Sequence, residues 1–327
     1  MLARSYKAKQ IFFLMIKLSI VVGASFYIYQ NLLENEHLKF IDFISFLMKN
    51  DSFLLKNIIL LLILTIFNWF FEIKKWQNLV SVIVPIRFSE ASKQSLAALT
   101  ASLITPNRIG DYAAKAVYYN KTMRKHILLL NLQSNMAQMF STVIFGIIGL
   151  TLFIKHYNIV IPQDKILKGA TLVVIILAAV YFTIGQNKFS IRGFSCLKVY
   201  DFVRSIPSKI HLKNIAYSVF RYLIFSFQFY FLLRIFGVDV SYYNAMLLIT
   251  STYLISSLVP AFTLFDVVIK GSVAVYLFGM VQVNAITILS VTTTMWIFNF
   301  ILPSIVGSFF VLKFKWQHSY PSNTHTS

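Results

Sequence analysis

Acidic residues and cysteine are scarce in this chain. Asp and Glu number 11 against 30 Lys and Arg, and charged residues of both signs make up only 13% of 327 positions. A soluble domain carries roughly 25% charged residues, so a charged, water-facing surface of that size is excluded. Cys196 is the single cysteine, which excludes an intramolecular disulfide. The six histidines are scattered, and no His-Glu-x-x-His, P-loop or Gly-x-Ser-x-Gly pattern occurs. No Cys or His cluster has metal-ligand spacing. No cofactor, metal or catalytic residue is therefore expected, and enzymatic activity is not expected either.

What the chain has instead is hydrocarbon. Hydrophobic residues are 57% of the sequence and aromatics 16%. Runs of about 20 apolar residues are long enough to cross a bilayer core of roughly 30 Å. Six stretches read as crossing helices: 10–32, 53–72, 127–154, 167–185, 214–236 and 284–312. The first follows a basic start and is too long for a signal-peptide core, so it reads as a retained helix. A net charge of +19 would point to nucleic acid in a soluble protein. In a membrane protein it is what basic loops supply, and no nucleic-acid partner is expected.

Those loops set the orientation. Arg4, Lys7, Lys9, Lys74, Lys75, Arg87, Lys93, Lys121, Arg124, Lys125, Lys188, Arg192, Lys198, Arg204, Lys209, Lys213, Lys313 and Lys315 fall on one side. The opposite loops are poor in Lys and Arg and carry Glu34, Glu36, Asp42, Asp51, Asp164 and Asp239. The positive-inside rule then places both termini in the cytoplasm.

Two further apolar stretches, 91–120 and 242–279, are each interrupted by a proline, Pro106 and Pro260. Their arms are short for a crossing, so they read as hairpins that dip in and return, or as broken helices. Span, span, hairpin, span then occurs twice, over roughly 10–154 and 167–312. Three crossings per unit is odd, so the second copy is inverted. The tips agree: "SLITPNRIGDYAAKA" and "SSLVPAFTLFDVVIKGS" both run Ser-Leu, Pro, Asp, and Lys four residues later. Inverted repeats with paired broken segments mark transporters whose site lies near the midplane.

The hairpin residues are the candidate site. Asp111 and Asp266 fall in the first turns of the half-helices after each proline, where the positive dipole end favours a carboxylate. Lys115 and Lys270, four residues on, are spaced to pair with them. Such pairs either lock the hairpins or mark a pathway, because charge in a membrane segment is costly. Arg108 has no counterpart at the second tip. Its planar fork suits two phosphate oxygens, or it snorkels to water and caps carbonyls. Gly110 permits a turn or a close approach. Asn131, Asn135, Gln138 and Thr142 form a polar stripe on the third span, for a head-group path or for interhelical hydrogen bonds. Asn68 and Glu72 are explained by an interfacial position, and Arg221 by snorkelling inward.

At these tips the sequence resembles the transmembrane-domain family of lysylphosphatidylglycerol synthases, also called the flippase-like integral membrane family. The family's first motif is similar to Pro-Gly-Arg-x-Gly-Glu, and residues 106–111 read "PNRIGD". Pro106, Arg108 and Gly110 match, Asn107 replaces a glycine, and Asp111 replaces a glutamate. At the second tip "PAFTLFD" keeps Pro260 and Asp266 without the family's glycines. The resemblance implies movement of aminoacylated or glycosylated lipids between leaflets in bacteria and archaea. The soluble synthase domain of full-length members is not expected here, since the sequence ends soon after its last span.

The expectation is an all-α polytopic protein of the cytoplasmic membrane. It is read as one integral-membrane domain with about six crossing helices and two opposed hairpins in an inverted repeat. Its expected role is flippase-like transport of an anionic, aminoacylated or glycosylated lipid. The expected substrate-binding residues are Arg108, Gly110, Asp111, Lys115, Asp266, Lys270, Asn135 and Gln138, with Pro106 and Pro260 shaping the tips. The alternatives are an integral-membrane transferase using a polyprenyl-phosphate donor, and a non-transporting partner of a lipid-modifying enzyme.

Overall fold

A computed structural model describes residues 54–103, 105, 108–159, 190–191, 194–258 and 266–314. The architecture is helical throughout except for a two-residue ladder, Ser190–Ile191 against Phe194–Ser195. Four helices are long and apolar enough to cross a membrane: α1 (Leu55–Val80), α4 (Arg124–His156), α6 (Ser208–Ile235) and α9 (Ala285–Lys313). They coincide with four of the six expected spans. The other two, 10–32 and 167–185, lie outside the described residues.

Side-chain placement is inverted relative to a soluble bundle. Ile59, Ile63, Ile66 and Phe67 of α1 face outward, while Thr65, Asn68 and Lys75 of the same helix are buried. In water that arrangement would expose apolar surface and desolvate polar groups together. Against lipid the exposed face costs nothing, and the polar face finds partners inside the bundle.

Both interrupted stretches contain a helix on each side of their proline. α2 (Phe88–Leu103) and α3 (Ile109–Val117) form the first, α7 (Tyr242–Ser257) and α8 (Asp266–Gly279) the second. Pro106 and Pro260 lie outside the described residues. The first pair folds back on itself. Gly110 sits against Ala101, where an added Cβ would lie 2.1 Å from the Ala101 carbonyl oxygen, and Tyr119 donates to Gln94 near the other end of α2. Arg108 makes the reversal in the left-handed region, φ 57°, and the Gly110 amide donates to Thr105 Oγ1 at 2.8 Å. The second pair also packs arm against arm.

The remaining packing is pairwise. α1 runs antiparallel to α6, with Thr65 meeting Gln228, Glu72 meeting Arg221, and Asn78 meeting Ile210. α4 packs on α7 and the C-terminal half of α9 on α2. Both contacts are made through glycine. Gly146 and Gly149 lie against Leu254 and Thr250, and Gly307 against Leu96 and Thr100. The segment between the fourth and fifth expected spans, read as a loop, contains a further helix, α5 (Cys196–Ser205).

α9 contains one irregularity that matters for the site. Residues Ile297–Ile301 form a π turn, and its cause is Pro303. Proline has no N–H for the carbonyl four residues back, and its ring crowds that carbonyl. The carbonyl belongs to Asn299, and Trp69 Nε1 donates to it at 3.1 Å. The widened turn brings Asn299 and Phe300 together onto the interior wall.

Candidate functional site

A cavity of about 260 Å³ lies among α1, α2, the tip of the first hairpin, α4, α6, α7, α8 and the π turn. Its charged lining is Glu72, Arg108, Asp111, Arg221 and Lys270, and its polar lining includes Asn68, Ser95, Ser102, Asn135, Gln138, Thr142, Ser256 and Ser257. Trp69, Tyr222, Phe225, Tyr253 and Phe300 complete the wall. At 1.5 Å per residue, Arg221 stands about 20 Å from either end of its helix, so the cavity sits at mid-depth of the long helices.

Its two described acids are both engaged. Glu72 Oε2 receives Lys75 Nζ at 2.8 Å and the Arg221 guanidinium. Arg221 also donates to Asn68 Oδ1 and Gln138 Oε1, each at 3.1 Å. Asn68 donates onward to Asn299 Oδ1 at 2.8 Å, and Asn299 donates to Gln228. This chain of amides holds the Arg221–Glu72 pair between α1, α4, α6 and α9. In the first hairpin, Asp111 Oδ1 lies 3.2 Å from Lys115 Nζ, and Asp111 Oδ2 accepts from Asn131 at 2.7 Å. Lys115 also donates to Asn131 Oδ1 at 2.8 Å and lies 4.6 Å from the Trp76 ring centroid.

The positive charge is different. Arg108 is exposed to the cavity and makes no ion pair among the described residues. Its guanidinium carbon lies 5.8 Å from the Phe300 ring centroid, and Lys270 Nζ lies 6.0 Å from the same centroid. The tip of one hairpin and an arm of the other thus bring cations to one aromatic ring.

Of the residues expected at a site, Arg108, Asp111, Asn135, Gln138 and Lys270 line the cavity together. Lys115 does not. It is 1% exposed and lies behind Asp111, holding α3 to α4 through Asn131, because a buried ammonium must use every partner in reach. Gly110 is likewise a packing residue, pressed on Ala101. Asp266 opens α8, and its side chain lies outside the description. The stripe on α4 divides: Asn135, Gln138 and Thr142 face the cavity, whereas Asn131 bridges helices.

Asn68 and Glu72, expected at an interface, face the inside of the bundle, where Arg221 of α6 donates to both. Arg221, expected to snorkel, directs its guanidinium to Glu72, Asn68 and Gln138. Sequence reasoning missed Ser95, Trp69, Asn299 and Phe300. A signal for the last two exists: Pro303 four residues after Asn299 marks a disturbed turn.

Among the described residues no three His, Cys, Asp or Glu side chains cluster as a metal site. No protein family, no curated protein and no solved structure matches this chain. The cavity can accept an anionic, hydrogen-bonding group.

Proposed function

We propose that this protein is a flippase-like transporter that moves a lipid with an anionic head group between the leaflets of a bacterial or archaeal cytoplasmic membrane. The observation that carries the reading is the net-positive cavity at mid-depth, walled by both hairpins, with Arg108 exposed to it. Charge at such depth is expensive unless it serves passage or binding. A head group entering from one side would exchange the solvation of bulk water for Arg108, Lys270 and the polar wall, while its tails stay in lipid.

The inverted-repeat reading supports this mechanism. Under it α1 and α6 are equivalent, and they pack antiparallel. The hairpin arm of each unit packs on the last helix of the other: α7 on α4, and α2 on α9. With Pro106 matched to Pro260, Leu96 and Thr100 fall opposite Thr250 and Leu254, the residues that meet glycine in each contact. Two such units related by a two-fold axis in the membrane plane would open alternately to each side, with six crossings and both termini cytoplasmic.

The test is movement of labelled anionic, zwitterionic and aminoacylated phospholipids in proteoliposomes. Movement of one head-group class by the native chain, lost in Arg108→Ala, is the expected result. No movement of any class by folded, correctly inserted protein would remove the proposal.

A further inference from the structure

We infer that the ligand of this cavity is a singly charged phosphodiester bearing an uncharged, hydroxyl-rich substituent, a phosphoglycerol or phospho-sugar head, and that a cationic amine-bearing head is rejected. The lipid origin of that head group rests on the transport reading above; its chemistry rests on the cavity itself.

Charge comes first. Lys75, Arg108, Lys115, Arg221 and Lys270 lie on the wall or directly behind it. Against them stand Glu72 and Asp111, and even with Asp266 counted in full the cations are five to three. Both described acids already hold a lysine, and Glu72 holds an arginine as well. The charge of each carboxylate is thus already balanced by a cation of the protein. An added positive charge within several ångströms of Arg108 and Lys270 is repelled, and an added negative charge is attracted, in a medium far less screening than water.

The neutral groups refine the class. Ser95 stands in the cavity wall, and its buried Oγ has no hydrogen-bond partner among the described residues. Ser256 and Ser257 each give their proton to a carbonyl of their own helix, Tyr253 and Leu254. What they offer the cavity is lone pairs, which call for ligand donors, and beside an excess of cations an uncharged hydroxyl is favoured over an ammonium as that donor. Cations at Phe300 for the phosphate and a rim of acceptors for a polyol describe one molecule. A bare phosphate would leave the acceptors unused.

The experiment is equilibrium binding to the purified full-length protein in detergent. The probes are dioctanoyl phosphatidylglycerol, dioctanoyl phosphatidylethanolamine, dioctanoyl lysylphosphatidylglycerol, and the tail-free diester glycerophosphoglycerol. Phosphatidylglycerol is expected to bind at least about tenfold tighter than phosphatidylethanolamine, and the lysyl ester weakest, since one unit of charge at this range is worth a decade or more. Arg108→Glu should invert the order. Because Arg108 is exposed and unpaired among the described residues, Arg108→Gln serves as the mild variant and should flatten the order without loss of fold.

Equal or tighter binding of the lysyl ester, or no binding of phosphatidylglycerol, would overturn the inference. Glycerophosphoglycerol binding as tightly as its dioctanoyl lipid would overturn the lipid origin. Failure of translocation with the binding order intact would remove the transport reading and leave this one standing. Translocation with the order reversed would do the opposite.

Discussion

Arg108 and Lys270 stand 162 positions apart in sequence, on opposite hairpins, yet their charges lie 5.8 and 6.0 Å from the centroid of one ring, that of Phe300. Two like charges converging in a membrane interior are unfavourable by themselves. The ring face offsets part of that cost, and a bound anion would offset more of it.

Arg108 holds a left-handed backbone, φ 57°, that costs a side-chain-bearing residue about 1 kcal/mol or more relative to glycine. Arg108→Gly should therefore unfold at the same or a higher temperature than the native protein while losing anionic-lipid binding. Thermal unfolding in detergent beside a binding titration checks both halves. A destabilised Gly variant would mean that the arginine serves the fold.

Glu72 balances Lys75 and Arg221 together. Glu72→Gln leaves two cations in the interior and should cost about 3 kcal/mol or more. Arg221→Gln leaves a Glu72–Lys75 pair intact and should cost less. The comparison is made on thermal stability at constant detergent. Equal losses would show that Lys75 draws little from Glu72.

Gly307 lets α9 approach α2 so closely that an added Cβ would lie 2.2 Å from the Leu96 carbonyl oxygen and 2.3 Å from Thr100 Oγ1. Backbone cannot swing aside as a side chain does, so Gly307→Ala should cost at least about 2 kcal/mol and lower the yield of monodisperse protein. Gly279→Ala meets nothing within 4 Å and should be neutral or slightly stabilising. Size-exclusion profiles of the two variants give the answer.

The orientation can be read with single cysteines in a Cys196→Ser background. A cysteine at Lys121, between α3 and α4, should react with an impermeant maleimide only from the cytoplasmic face. One at Asp239, between α6 and α7 and 97% exposed, should react only from outside. Labelling of both from one face would overturn the orientation drawn from loop charge.

The membrane class, four of the long helices, and the helical arms flanking Pro106 and Pro260 were legible in the amino-acid order. Each is a local property: a run of apolar residues long enough for a bilayer, a proline that cannot continue a helix, a lysine one turn after an aspartate. Arg108, Asp111, Lys270, Asn135 and Gln138 were found by the same means, because charge and amide groups stand out against hydrocarbon. Which of those groups face one another is not local. Glu72 and Arg221 meet across 149 positions and Asn68 and Asn299 across 231, and their pairing follows from the antiparallel docking of α1 on α6 and from the π turn that rotates Asn299 inward. The amino-acid order alone made Lys115 a site residue and Glu72 an interfacial one. Tertiary packing decided that Glu72 lines the cavity and Lys115 lies buried behind Asp111, since a buried charge takes its role from the partners that the fold brings within hydrogen-bonding distance.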